Sequence, residues 1–281
     1  MGDLARDTQV VGGDGRYEGR LSREWEIWGP MGGYLASFAL RAAGAHCGRP
    51  RPASLVGHYL GVADFDEPLE IHCETLRSAR TATSVRASIQ QGGRPMFEAL
   101  VWGVAEGLLG LEHHDAPMPE HPHWSELPTI DERLRDMGEE PGPPFPFWAN
   151  LEQRPPRWRD DWMDRAGHEE RPVWSEWVRF QPTATFEDPW VDACRLLILV
   201  DLGGWPAVQS AFNQRAVMAP SIDLACHFHR PSRPHEWLFV EGHAPSSAAG
   251  LIASHQRVWA DDGTLLASGV SQLLCRPVPG G

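Results

Sequence analysis

The residue whose type and setting most clearly point to chemistry is Asp201, a lone carboxylate in the run Leu196-Leu197-Ile198-Leu199-Val200-Asp201-Leu202. An isolated charge in such surroundings is too costly to desolvate, so the group must be paired, hydrogen-bonded or raised in pKa. A carboxylate in that condition is a candidate general base. The alternative is that Asp201 emerges on a polar stripe of its helix, or begins to cap a turn at Gly203-Gly204. Two further polar interruptions come later: Ser221, in Ser221-Ile222-Asp223 at the start of a strand-like run, and Gln272, inside Ser268-Gly269-Val270-Ser271-Gln272-Leu273-Leu274. Taken singly, Ser221 and Gln272 read as structural residues.

Other chemistries are less well supported. His113-His114-Asp115 with His121 and His123 resembles a metal tract, but it lacks regular ligand spacing and lies in a Pro-rich stretch, where a solvated loop is the simpler reading. Gly13-Asp14-Gly15 has no preceding strand, so a dinucleotide loop is not expected. No G-x-S-x-G occurs, which leaves a serine nucleophile elbow unsupported. His58 and His227 lie on apolar strand-like runs and read as core or dimer-interface histidines. The five cysteines, Cys47, Cys73, Cys194, Cys226 and Cys275, show no C-x-x-C spacing and read as reduced core residues. A formal net charge of −13 argues against bulk nucleic-acid or membrane-surface binding, although a local arginine cluster could hold one anionic ligand. All 25 basic residues are arginine, a bias from which no function follows. With no apolar run of membrane-spanning length and no signal-like N-terminus, a cytoplasmic protein is expected.

The elements that must position Asp201 occur twice. Pro30-Met31-Gly32-Gly33 opens the apolar run Tyr34 to Ala45, followed by strand-like stretches at 53–61, 67–77, 81–91 and 94–104. Asp188-Pro189 opens Trp190 to Leu202, followed by stretches at 219–230, 236–244, 249–260 and 264–275. Repeats of this size imply a duplicated structural unit. Each copy contains a Gly-bearing hairpin turn, Gln91-Gly92-Gly93-Arg94 and Asp261-Asp262-Gly263-Thr264. The helix candidates are apolar almost all round and must be wrapped. Period-two runs such as Ser84-Val85-Arg86-Ala87-Ser88-Ile89-Gln90 supply the wrapper, a curved antiparallel sheet in an α+β fold. A strand is also expected before each helix, Tyr17 to Trp28 and Trp174 to Phe180.

This organisation predicts an N-terminal unit over 1–105, a Pro- and Trp-rich linker over 106–172 and a C-terminal unit over 173–281. In the linker one helix is expected near Ile130 to Met137, and Trp148, Trp158 and Trp162 suggest that the segment is draped over the surface. Because the first helix, Met31 to Cys47, contains no Asp or Glu, an acid at this place is not a requirement of the fold, and the second copy is the one expected to carry chemistry.

Several motifs together resemble the thioesterase II-like acyl-CoA thioesterases, a double hot-dog family. In the first copy they are Gly29-Pro30-Met31-Gly32-Gly33-Tyr34, Pro52-Ala53-Ser54-Leu55-Val56-Gly57-His58-Tyr59-Leu60 and Arg77-Ser78-Ala79-Arg80-Thr81. In the second they are Leu199-Val200-Asp201, Pro220-Ser221-Ile222-Asp223, His227-Phe228-His229-Arg230-Pro231, Glu236-Trp237-Leu238 and Asp262-Gly263-Thr264-Leu265-Leu266-Ala267-Ser268. The resemblance implies hydrolysis of a fatty or other acyl-CoA thioester by a water held between Asp201, Ser221 and Gln272, with no metal or organic cofactor. It departs from the family in two places. Ser221 stands where Thr is usual, and the register near Gln272 is off by about one residue, so that Ser271 is the competing candidate. Gly32 and Gly33, at the helix start, are candidate oxyanion positions or tight packing positions. Arg77, Arg80 and Arg230 are candidates for the coenzyme A phosphates, with ordinary surface charge as the alternative. A homo-oligomer is expected. The competing functions are a hydratase or dehydratase on the same fold and an acyl-binding protein without turnover.

Overall fold

The structure is a computed structural model that describes residues 1–158, 171–212 and 217–278. The N-terminal half contains α1 (Leu4–Asp7), β1 (Val11–Gly13), β2 (Arg16–Gly19), α2 (Gly32–Cys47), β3 (Arg51–Tyr59), β4 (Leu69–Ser78), β5 (Ala82–Gln91) and β6 (Arg94–Val104). Then come α3 (Ile130–Asp136) and β7 (Leu151–Arg154). The C-terminal half contains β8 (Val173–Phe180), α4 (Pro189–Leu202), α5 (Gly204–Ala211), β9 (Val217–Met218), β10 (Asp223–Phe228), β11 (Trp237–Ala248), β12 (Leu251–Ala260), β13 (Leu265–Leu274) and β14 (Arg276–Pro277).

The two repeats share one 12-stranded sheet in the order β1-β2-β4-β5-β6-β3-β10-β13-β12-β11-β8-β7. All its pairings are antiparallel, and β3 meets β10 with Leu55 opposite Cys226, which joins the halves edge to edge. Each half curls around its own helix, giving the double hot-dog arrangement. The sequence accounts for both helices. Small residues let α2 be buried from Gly33 to Gly44, with only Arg41 partly exposed in that span, and Gly48 ends it in the left-handed conformation at φ 61°. In α4 the Asp188 side chain caps the Trp190 amide, and Pro189 occupies the first turn.

The helices pack antiparallel against each other, and glycine makes the approach possible. A Cβ on Gly33 would stand 2.7 Å from Ile198 Cα and 3.0 Å from the Leu197 carbonyl. At the other end of the pair, a Cβ on Gly44 would lie under 3.0 Å from the Trp190 ring. Trp190 is held there by donating its indole N–H to the Arg49 carbonyl at 2.8 Å.

Three elements depart from expectation. The strand expected over Tyr17 to Trp28 ends at Gly19, because Ser22 caps a 3-10 turn at Arg23–Trp25 that buries Trp25 against Tyr34, the rings stacked at 5.2 Å. The turn expected at Gly203-Gly204 is instead a junction into α5, with the Ala207 amide donating to the Gly203 carbonyl. Part of the middle segment joins the sheet, where β7 pairs with β8. There Trp124 stacks on Trp237 at 4.9 Å, Trp148 packs edge-on to Phe147, and Arg133 lies over Trp158, while Trp162 lies outside the described residues.

Among the core groups, Glu176 on β8 is 2% exposed and accepts a hydrogen bond from Gln153 Nε2 at 2.7 Å. Burial pushes its carboxyl up to about 8. A carboxyl raised in the folded state stabilises fully below its unfolded pKa and loses that contribution as pH rises through the folded value. Unfolding free energy should therefore decline between about pH 4.5 and about pH 8, and urea melts of Glu176→Gln should show a shallower decline. Gly33→Ala forces the helices apart and should lower stability by about 1–3 kcal/mol in the same measurement.

Candidate active site

Asp201 lies in the last turn of α4, 9% exposed, and faces the first turn of α2. Its Oδ2 accepts the Gly33 amide at 2.7 Å, and its Oδ1 accepts the Ser221 hydroxyl at 2.9 Å. The amides at a helix N-terminus have no intrahelical partners and favour an anion, so the helix of one repeat stabilises the carboxylate of the other. Burial acts in the opposite direction and is the larger effect. It raises the carboxyl to about 6, with Ser221, Gly33 and Tyr59 each pulling it back down. A buried carboxylate that ionises near pH 6 can accept a proton near neutral pH.

Ser221 reaches this position because its segment is stitched to both halves. The Tyr59 amide at the end of β3 donates to the Ile222 carbonyl at 3.0 Å, and the Ile222 amide donates to the Gln272 carbonyl at 2.8 Å. Ser221 itself bridges Leu273.

Gln272 does not join Asp201 and Ser221. Burial alternates along β13, with Ser271 and Leu273 buried and Gln272 half-buried, so the Gln272 side chain lies on the opposite face of the sheet from Ser271. Its backbone amide donates to Asp223 Oδ1 at 2.7 Å. Ser271 is 5% exposed, and its Oγ has no hydrogen-bond partner among the described residues. It pairs across the ladder with Ser254 on β12, whose Oγ accepts from Gln256 Nε2. Gln256 is 1% exposed, its Oε1 is unpartnered among the described residues, and a Cβ on Gly203 at the end of α4 would lie 3.2 Å from its Cγ. A polar cluster therefore lies under the α4–α5 junction.

Gly32 is bare for a steric reason: a Cβ there would fall under 3.0 Å from both Asp201 Oδ2 and Tyr59 Oη. The Gly33 amide is taken by Asp201, so Gly33 serves the carboxylate and the helix contact.

The three arginines lie elsewhere. Arg49, two residues past α2, donates to the carbonyls of Ala79 and Arg80. The turn carrying Arg80, and Arg77 just before it, thus sits at the C-terminal end of α2, roughly 20 Å along the helix from Gly33 by its rise per residue. Arg230 lines a small groove with Arg51, Pro52 and Pro189, also at that end, where α4 begins. His113, His114 and Asp115 are exposed, and His121 stacks on Phe239 at 3.8 Å. Among the described residues no group of three or more His, Cys, Asp or Glu is arranged to hold a metal ion, and no helix is long and apolar enough to cross a membrane.

Sequence reasoning did not single out Tyr59 or Gln256, although parity could have found both. Tyr59 follows Leu55 and Gly57 on the inward face of β3, and Gln256 follows Ile252 and Ser254 on that of β12.

Comparison with known proteins gives this geometry a class. Residues 21–104 match the acyl-CoA thioesterase N-terminal domain and residues 125–275 the C-terminal domain. The chain belongs to the acyl-CoA thioesterase family. Among solved structures, a conserved hot dog-fold protein of unknown function from Alicyclobacillus acidocaldarius aligns with a TM-score of 0.81 at 20% identity over 98% of both chains. Acyl-CoA thioesterase II TesB2 from Mycobacterium marinum aligns with a TM-score of 0.78 at 22% identity, over 99% of this chain and 100% of that one. The tesB protein of Mycobacterium avium subs paratuberculosis aligns with a TM-score of 0.76 at 18% identity over 98% of both. At these identities the likeness concerns the fold. No curated protein sequence matches the chain.

The Asp201 carboxyl, followed by carbon NMR at Cγ, should titrate near pH 6. Ser221→Ala removes a hydrogen bond to the ionised form and should move that midpoint upward by roughly one unit.

Proposed function

We propose that the protein hydrolyses an acyl-CoA thioester to the free acid and coenzyme A by general-base activation of water. The observation that carries this reading is Asp201: a carboxylate out of solvent, raised to about 6, and fixed by the Gly33 amide and the Ser221 hydroxyl. Asp201 takes one proton from water as the water oxygen bonds to the thioester carbon, and the carbonyl π pair moves onto oxygen. When the tetrahedral intermediate collapses, the pair on oxygen re-forms the carbonyl π bond, the C–S bonding pair leaves with the sulfur, and the thiolate receives the proton from Asp201. Fixing water beside a base in a nearly dry site supplies the positioning that the reaction needs.

Ser221 orients the carboxylate and the water, and its missing β-branch relative to Thr loosens the rotamer without removing the hydroxyl. We assign the third polar contact to Ser271, backed by Ser254 and Gln256, in place of Gln272, because Ser271 holds the inward position on β13. Arg77, Arg80 and Arg230 lie at the other end of the helix pair from the reacting carbon and stay candidates for the coenzyme A phosphates. The outer face of the sheet carries a cross-strand row of Val270, Ala225, Val56 and Leu100, three of them exposed large hydrophobics, and a second copy of the chain is the occupant that the expected homo-oligomer supplies.

The test is release of free thiol from acyl-CoAs of graded chain length. The wild-type chain should turn over at least one of them, with kcat/KM falling as pH drops through about 6 because the base becomes protonated. Asp201→Asn should lose on the order of 1,000-fold or more in kcat. Full activity in that variant would remove the assigned base.

A further inference from the structure

We infer that Tyr59 is a catalytic residue of this site: its phenolic O–H is the hydrogen-bond donor that receives the thioester carbonyl oxygen and the oxyanion formed from it. This rests on the hydrolytic reading above and adds the electrophilic half of the site. The backbone geometry creates the need. An oxyanion requires donors aimed at it, and the obvious one at this helix start, the Gly33 amide, is already bonded to Asp201 Oδ2 at 2.7 Å. Ser221 likewise spends its hydroxyl proton on Asp201 Oδ1.

Tyr59 Oη is a side-chain donor in place beside the Gly32 amide. It is shut off from solvent and meets no acceptor at full hydrogen-bonding geometry among the described residues, although it lies close enough to Asp201 to help hold that carboxyl down. It also faces Asp201 closely enough that each group alters the other's ionisation. Tyr59 Oη and Asp201 Oδ2 flank one spot beside Gly32, each under 3.0 Å from where a Gly32 side chain would begin. The bare glycine thus keeps open the ground between base and donor.

The ring is held rigidly. It packs at 4.9 Å on Phe97, and its backbone amide is tied to the Ile222 carbonyl at 3.0 Å, next to Ser221. Burial, with Asp201 as the next largest influence and Asp223 also contributing, pushes the phenol well above its ordinary range, so it stays protonated and able to donate. A buried donor left unmatched costs stability, and a carbonyl oxygen arriving with substrate is the partner that would satisfy it.

The experiment compares wild type with Tyr59→Phe using three probes: the best acyl-CoA substrate, a ketone analogue in which methylene replaces the thioester sulfur, and a thioether analogue that lacks the carbonyl. The inference expects kcat to fall on the order of 100-fold with KM little changed. It also expects weaker binding of the ketone analogue, unchanged binding of the thioether analogue, a melting temperature close to that of wild type, and an acid limb that moves upward only modestly, because Tyr59 is the smallest of the three influences that hold the Asp201 carboxyl down.

A kcat within about threefold of wild type would overturn it. So would equal weakening of both analogues together with a lowered melting temperature, which would mark a structural role. An upward shift of the acid limb with an unchanged plateau rate would overturn it too, by showing that the phenol only solvates Asp201. If the wild-type chain releases no thiol from any acyl-CoA, the hydrolytic reading fails on its own, and the ketone-against-thioether comparison still reports whether Tyr59 touches a carbonyl.

Discussion

The approach of α2 to α4 at Gly33 and Ile198 is the constraint on which the rest of the structure depends. With no side chain at Gly33, the two helix backbones come close enough for the first turn of one repeat to offer its amide to the carboxylate of the other. Everything polar at the site is arranged around that cross-repeat hydrogen bond. The Ser221 segment is clamped between β3 and β13, and Gly32 is kept bare by Asp201 and Tyr59. A single hot-dog unit could not build this arrangement, because its helix start and its acid would belong to different molecules.

The position of Asp201 reflects a balance between two opposing effects. Burial would keep it protonated, and three donors oppose burial without cancelling it, leaving the carboxyl near 6. Such a group is costly to the fold while ionised and useful to a proton transfer, a common compromise at functional sites. Glu176 shows the same cost with less compensation: with Gln153 as its one partner among the described residues, it is pushed to about 8 and stays largely protonated at neutral pH.

Much of this was legible in the sequence because it rests on periodicity. The duplicated helix-and-strands order, the antiparallel hairpins and the buried character of α2 and α4 follow from residue spacing. Asp201 stood out as a charge where none should be, and Ser221 was reachable through the family resemblance. What the sequence left unread depends on direction. Whether Gln272 or Ser271 faces inward is a matter of strand parity, decided by pairing with β12. That Arg77, Arg80 and Arg230 lie at the far end of the helix pair depends on which way each strand runs relative to the helix it covers. Ser22 ends a strand early by capping a turn, and Gly203 passes directly into a second helix at Gly204 because tertiary packing against Gly242, Ser254 and Gln256 overrides local turn chemistry.

The end of the helix pair away from Asp201 carries a separate consequence. Gly44 lies as far into α2 as Asp201 does into α4, and it faces the indole of Trp190 in place of an amide. The place that answers to the Asp201 contact is thereby taken by an aromatic ring that bridges the repeats, beside a cavity of about 410 Å³ lined by Arg41, Gly44, Arg49 and Trp190.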